Sequence, residues 1–199
     1  GSPCANGTLG AIRGLEEARA TEGVVAVFTA ADVPNKAPFG PIFHDEPFLP
    51  DSEVRYLGQP VLVIAATTLE SLESARRCIT VEVEESPAIL DIDSAESQQF
   101  FLGEERFINR GDSGAGFARS AHVQEGTFHS LGQEQFYLES QAALAVPREG
   151  QELTILSSTQ NPTEIQKVTA EVLGLGHHQV ICETRRMGGA FGGKETQAA

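Results

Sequence analysis

Apolar positions along this chain fall in short clusters whose period switches between two and three to four. Val24-Val25-Ala26-Val27-Phe28 is a continuous, β-branched run and predicts a buried strand. Pro60-Val61-Leu62-Val63-Ile64-Ala65-Ala66 predicts another. Between Thr68 and Arg77, Leu69, Leu72 and Ala75 recur at i, i+3 and i+6, the spacing of a helix with one buried face. Ile79-Thr80-Val81-Glu82-Val83-Glu84 alternates strictly and predicts a half-exposed strand. Strand, helix and strand so close together predict a compact α/β unit. An amphipathic helix is expected around Ala11–Ala20. Residues Asn35–Asp51 hold four prolines and no periodicity, and predict a long loop.

The pattern changes at Gln98–Ser120. Gly103, Gly111, Gly114 and Gly116 stand among few apolar residues, which predicts an interdomain linker. Strands are expected again at Val123–Phe128, Ala142–Val146, Glu152–Ser157 and Gln179–Thr184. Asn161-Pro162-Thr163-Glu164 predicts a helix start: Asn161 caps free N–H groups, Pro162 takes the first helical position and Glu164 closes a capping box. Ile165, Val168, Thr169 and Val172 supply the inward face, and Gly174 stops the helix. The fold class is α/β (α+β) in two parts.

Composition narrows the function. A formal net charge of −14 argues against nucleic acid or an anionic membrane as partner. No apolar run approaches the roughly 18 residues that a membrane span needs. Cys4, Cys78 and Cys182 are scattered, with no C-x-x-C pair, which excludes a cluster or zinc site of the usual spacing. Unclustered cysteines fit a reducing compartment, so a cytoplasmic location is expected. His44, His122, His129, His177 and His178 show no metal-ligand spacing.

The chemistry concentrates in Arg185-Arg186-Met187-Gly188-Gly189-Ala190-Phe191-Gly192-Gly193-Lys194-Glu195. Glycines let a backbone approach a bound group closely, and are expected to free N–H groups toward an oxyanion or phosphate. The phosphate loop G-x-x-x-x-G-K-[ST] is nearly met, but Glu195 stands where a hydroxyl must bind Mg²⁺, and its charge would repel phosphate. The loop falls close to Ala199, so the remainder of its site is expected in sequence outside this chain. Few intrachain contacts are expected for Met187–Ala199. Gln133, beside Gly132, is a second candidate, because an amide can donate and accept at once. A non-catalytic α/β module with a structural glycine turn is the competing interpretation.

Three segments together carry a resemblance: Gly132-Gln133-Glu134-Gln135-Phe136-Tyr137-Leu138-Glu139, Ser157-Ser158-Thr159-Gln160-Asn161-Pro162-Thr163, and the glycine loop through Glu195. In order and spacing they resemble the xanthine dehydrogenase branch of the molybdenum hydroxylases. Gly23–Ala30, Gly40–Pro47 and Tyr56–Val61 resemble the small hammerhead α/β domain of that family. The resemblance implies a hammerhead domain over residues 1–96, a linker over 97–120, and the opening part of a molybdopterin-binding domain over 121–199. Cys4 stands where relatives often have histidine.

By the same resemblance, Gln133 hydrogen-bonds an oxo ligand of molybdenum, and the backbone of Phe191 and Gly192 approaches the cofactor. Glu195 contacts a purine substrate; aldehyde oxidases, close relatives, usually lack it. The implied activity is hydroxylation of hypoxanthine or xanthine at a molybdenum–molybdopterin centre, with water as oxygen donor. Electrons would leave through iron–sulfur and FAD sites in other domains or subunits. The family's catalytic base, stacking phenylalanines and substrate arginine lie outside these residues, so the remainder of the molybdenum domain is an expected partner, and this chain alone is expected to be inactive and cofactor-free. An aldehyde oxidase-type or other molybdenum hydroxylase is the alternative.

Overall fold

The computed structural model describes residues 1–40 and 43–195 and shows two units, Gly1–Ala88 with Gln135–Ala199, and Ile89–Glu134. Pro41 and Ile42 of the Gly40–Pro47 motif, and residues 196–199, lie outside the described residues.

In the first unit the chain opens with β1 (Gly7–Arg13), α1 (Leu15–Ala20) and β2 (Val24–Thr29). It continues through β3 (Glu53–Val54), β4 (Leu62–Ala66), α2 (Leu69–Cys78) and β5 (Thr80–Glu85). The runs at 24–28, 60–66, 68–77 and 79–84 therefore form the expected elements within one or two residues. The helix expected at Ala11–Ala20 is only half right. Ala11–Arg13 complete β1, which pairs antiparallel with β5 through Ile12↔Val81 and Arg13↔Thr80. A sheet partner outweighs a weak local helix pattern. Gly14, at φ 79, makes the turn between strand and helix; a Cβ there would lie 1.9 Å from the Cys78 carbonyl oxygen, so no other residue fits.

The strand–helix–strand segment is divided between sheets. β4 pairs with β2, whereas β5 joins β1 and β3 in the order β3-β1-β5. Helices α1 and α2 cover the β2-β4 ribbon, and Ala18, Val27 and Ala75 form the buried centre with Leu15, Val24, Leu62 and Ile64 around them. Small Ala18 and Ala75 are both fully buried, which lets the helices approach this ribbon closely. Thr68 caps α2 by accepting from the Ser71 N–H at 3.1 Å.

The remainder of this unit is a sheet in the order β6-β7-β8, with β6 (Ala143–Pro147), β7 (Leu153–Ser157) and β8 (Val180–Glu183). β7 runs antiparallel to β6 and parallel to β8, and the parallel crossover is the helix Pro162–Leu173. That helix begins as the sequence predicts: the Asn161 side chain accepts from the Glu164 N–H at 3.2 Å. The cap has one arm, since no return bond from the Glu164 carboxylate is formed among the described residues. Gly174 ends the helix at φ 68, and the Leu175 N–H reaches back to the Ala170 carbonyl at 2.8 Å. Asn35, from the long loop, also binds this end through Val172 and Glu171 carbonyls at 3.2 and 2.9 Å. Ile165, Ala170, Ile155 and Val180 close the core between helix and sheet.

The second unit holds two short helices, α3 (Ile92–Ser97) and α4 (Ser113–Arg119), capped by Asp91 and Asp112. Numbered in chain order, the helix Pro162–Leu173 is α5. Helix α4 lies within the segment expected to be an interdomain linker. Val123–Phe128 is not a strand, which corrects the expectation from its pattern. A strand needs a ladder partner, and none pairs with it among the described residues. Phe128, 90% exposed, has no sheet face to pack into. Among the described residues, no helix is long and apolar enough to cross a membrane.

Candidate functional site

Strand β8 delivers the chain to the glycine loop, and the residues before β6 meet it there. Every second side chain from 135 to 141 reaches the loop. A Cβ on Gly193 would fall 2.5 Å from Tyr137 Cε1 and 3.3 Å from Gln135 Cδ. The Gln141 amide donates to the Gly193 carbonyl and to the Tyr137 hydroxyl, each at 2.9 Å. Glu139 accepts on a single oxygen from the Gly188 N–H at 2.9 Å, the Ser158 hydroxyl at 2.8 Å and Lys194 Nζ at 2.7 Å. These donors, the Lys194 ammonium first, hold the Glu139 carboxyl down to about 2.

Lys194 is fully buried, with its ammonium 4.8 Å from the centre of the Tyr137 ring. The turn after β7 grips the same segment. The Gln160 side-chain oxygen accepts from the N–H groups of Gly192 and Lys194 at 2.9 and 3.3 Å. The Lys194 carbonyl accepts from the Gln160 N–H at 2.8 Å and the Thr159 hydroxyl at 3.1 Å.

These contacts correct one expectation: residues 188–194 do not lack intrachain contacts. The N–H groups of Gly188, Gly192, Gly193 and Lys194 all have acceptors within the chain. The loop is built as a braced turn.

Its apex is nonetheless set outward. Phe191 has φ 53 and is 77% exposed. A left-handed bulky residue carries strain of about 1–3 kcal/mol, which is usually retained where function needs the geometry. Gly192 follows at φ 96, and a Cβ there would meet nothing nearer than Gln135 Nε2 at 4.0 Å. Gly188 and Gly193 are glycine because a Cβ would strike Glu139 and Tyr137. At Gly192 the missing side chain leaves free space beside an exposed backbone, a cradle that suits close approach by a large group. Glu195 is exposed one residue beyond the buried lysine. Gln133 belongs to the second unit, where it is exposed and outside any helix or strand. No three His, Cys, Asp or Glu side chains group to bind a metal among the described residues.

Residues 1–87 match the family model described as the aldehyde oxidase and xanthine dehydrogenase a/b hammerhead domain, and residues 95–199 match the molybdopterin cofactor-binding domain. The chain belongs to the molybdenum hydroxylases. It is 42% identical over 177 residues, 88% of its length, to a xanthine dehydrogenase of Dictyostelium discoideum. It is 37% identical over 183 residues to a xanthine dehydrogenase/oxidase of Rattus norvegicus. The match covers 13 and 14% of those curated relatives, so the chain spans about one seventh of their length. Among solved structures, quinoline 2-oxidoreductase of Pseudomonas putida 86 superposes with a TM-score of 0.80 at 26% identity, over 97% of this chain and 27% of that one. An aldehyde oxidoreductase of Desulfovibrio gigas superposes at 0.86 over the whole chain and 24% of its own, with 23% identity, which speaks for the fold.

For a molybdenum hydroxylase, the exposed Phe191-Gly192 backbone fits a cofactor approached by the main chain. What the sequence did not reveal is the bracing: Glu139, Tyr137, Gln141, Ser158 and Gln160. Its signal was the alternation of functional side chains at 135, 137, 139 and 141, a period of two.

Proposed function

We propose that this chain forms part of the pocket of an enzyme that hydroxylates a purine, hypoxanthine or xanthine, at a molybdenum–molybdopterin centre with water as oxygen donor. The placement of Glu195 supports this reading: an exposed carboxyl rooted on a braced loop, directly after a fully buried lysine. The curated relatives named xanthine dehydrogenase support it too. When bound, the centre supplies oxygen transfer and accepts electrons. The residues of this chain supply orientation. Glu195 pairs with a ring nitrogen, by accepting from an N–H or by donating when protonated, and so fixes which carbon faces the centre. Phe191 and Gly192 would place backbone against the cofactor, and the Gln133 amide would hydrogen-bond it. The partition into a hammerhead domain over 1–96, a linker over 97–120 and a cofactor-domain portion over 121–199 belongs to the same proposal. So do a cytoplasmic location, the remainder of the molybdenum domain, and iron–sulfur and FAD carriers as partners.

The test is Glu195→Val in the complete enzyme that carries this segment. A site built to hydrogen-bond its substrate discriminates strongly when that bond is lost, whereas an aldehyde has no ring nitrogen to lose. The expected result is a fall of about 100-fold or more in kcat/KM for xanthine relative to an aromatic aldehyde. An unchanged ratio refutes the purine reading and leaves an aldehyde-oxidising relative as the better description.

A further inference from the structure

A lysine is almost never fully buried unless something on the protein demands its charge. Lys194 has no solvent exposure, and its Nζ lies 2.7 Å from Glu139 Oε2. An apolar side chain of similar length would fill the same space without desolvating an ammonium. What the charge provides is a direction. Glu139 Oε2 also accepts from the Gly188 N–H, so one carboxylate oxygen ties the first residue of the loop to the last. The main chain at Lys194 is pinned as well, by Gln160 on its N–H, and by Gln160 and Thr159 on its carbonyl. Residue 194 is thus fixed at side chain, amide and carbonyl together. The next residue is Glu195.

We propose that Lys194 and Glu139 are a positioning pair, which locks both ends of the glycine loop so that the Glu195 carboxyl projects from a fixed root and meets its substrate in one orientation. This inference rests on the purine reading of Glu195. The pair touches neither substrate nor cofactor; it acts through the loop. The Tyr137 ring completes the enclosure of the ammonium, and Ser158 adds a third donor to the same carboxylate oxygen.

The experiment uses the complete enzyme with Glu139→Gln, which preserves side-chain shape and removes the charge that gathers three donors. Xanthine and an aromatic aldehyde are the two substrates, molybdenum content is measured, and amide hydrogen exchange is followed on peptides spanning 187–195 and elsewhere. The expected result has three parts: kcat/KM for xanthine falls about tenfold more than for the aldehyde, molybdenum is retained, and exchange accelerates in the loop peptides alone. Lys194→Met shifts both readouts the same way, and the double variant is no worse than the worse single one, because the two residues act as a unit. The inference is overturned if Glu139→Gln leaves ratio and loop exchange unchanged. It is equally overturned if both substrates fall in parallel while exchange rises throughout the chain, the signature of general weakening. Glu195→Val separates the two ideas. If it changes the substrate ratio and Glu139→Gln does not, the positioning role fails alone. If it leaves the ratio unchanged, the purine reading fails, and loop exchange still decides whether the pair locks the loop.

Discussion

Gly192 and Gly150 form a matched pair for testing how the loop meets its cofactor. Both lie in the left-handed region, at φ 96 and φ 68, and an added Cβ would meet nothing closer than 4.0 Å at the first and nothing within 4 Å at the second. Alanine at either position therefore costs backbone strain and no steric clash, on the order of 1–2 kcal/mol. Gly150 lies in the turn between β6 and β7, whereas Gly192 adjoins the exposed Phe191. If the free space at Gly192 is where the cofactor approaches, its alanine Cβ occupies that space and Gly150→Ala occupies nothing. In the complete enzyme, both variants should accumulate as folded protein to similar extents and unfold at similar temperatures. Gly192→Ala should lose most of its molybdenum or its turnover, and Gly150→Ala should retain both. Metal analysis and steady-state kinetics on the two variants decide it. A Gly192→Ala enzyme that loads molybdenum and turns over like Gly150→Ala would refute the assignment of this backbone to the cofactor.

Two further outcomes follow from the packing and the charges. Ile165→Ala should destabilise the β6-β7-β8 unit by about 2–5 kcal/mol, because Ile165 is 2% exposed at the centre of a small core with Ile155 and Val180; a change in denaturant unfolding equivalent to under about 1 kcal/mol would contradict this core assignment. The Glu139 carboxyl, held at about 2 against its ordinary 4.5 chiefly by Lys194, should stay ionised in the folded chain well below the range of exposed glutamates. Since the folded value is the depressed one, its stabilising contribution is present above about 4.5 and is lost as pH falls through about 2. A carboxyl-carbon NMR titration reads this directly, and a Glu139 midpoint near 4.5 would mean that the pairing is absent.

Local patterns wrote much of this fold. Alternation at 79–84, the i, i+3, i+6 spacing at 69–75 and the Asn161-Pro162 start each specify one element, because near neighbours alone satisfy its hydrogen bonds or expose its inward face. β1 escaped notice because Gly7-Thr8-Leu9-Gly10-Ala11-Ile12-Arg13 is weak as a strand by itself; its ladder comes from β5, some seventy residues away. Val123–Phe128 erred in the opposite direction, with a strand-like pattern and no partner within its unit. Both errors have one cause: pairing is a property of two segments, and a pattern describes one.

The candidate site divides in the same way. Glycines at 188, 189, 192 and 193 marked a loop where backbone must turn sharply or approach something closely, and residue types alone could indicate that. The order of the motifs likewise pointed to Phe191, Gly192 and Glu195 by resemblance. Which glycine serves which purpose was a tertiary matter. Gly188 and Gly193 are small because Glu139 and Tyr137 lie against them, while Gly192 opens to free space. Lys194 drew no role from the sequence pattern, and in the fold it is buried against Glu139, fifty-five residues earlier. A charge takes its meaning from its surroundings, through the partner it finds and the water it loses. Those surroundings are assembled only when distant segments pack together.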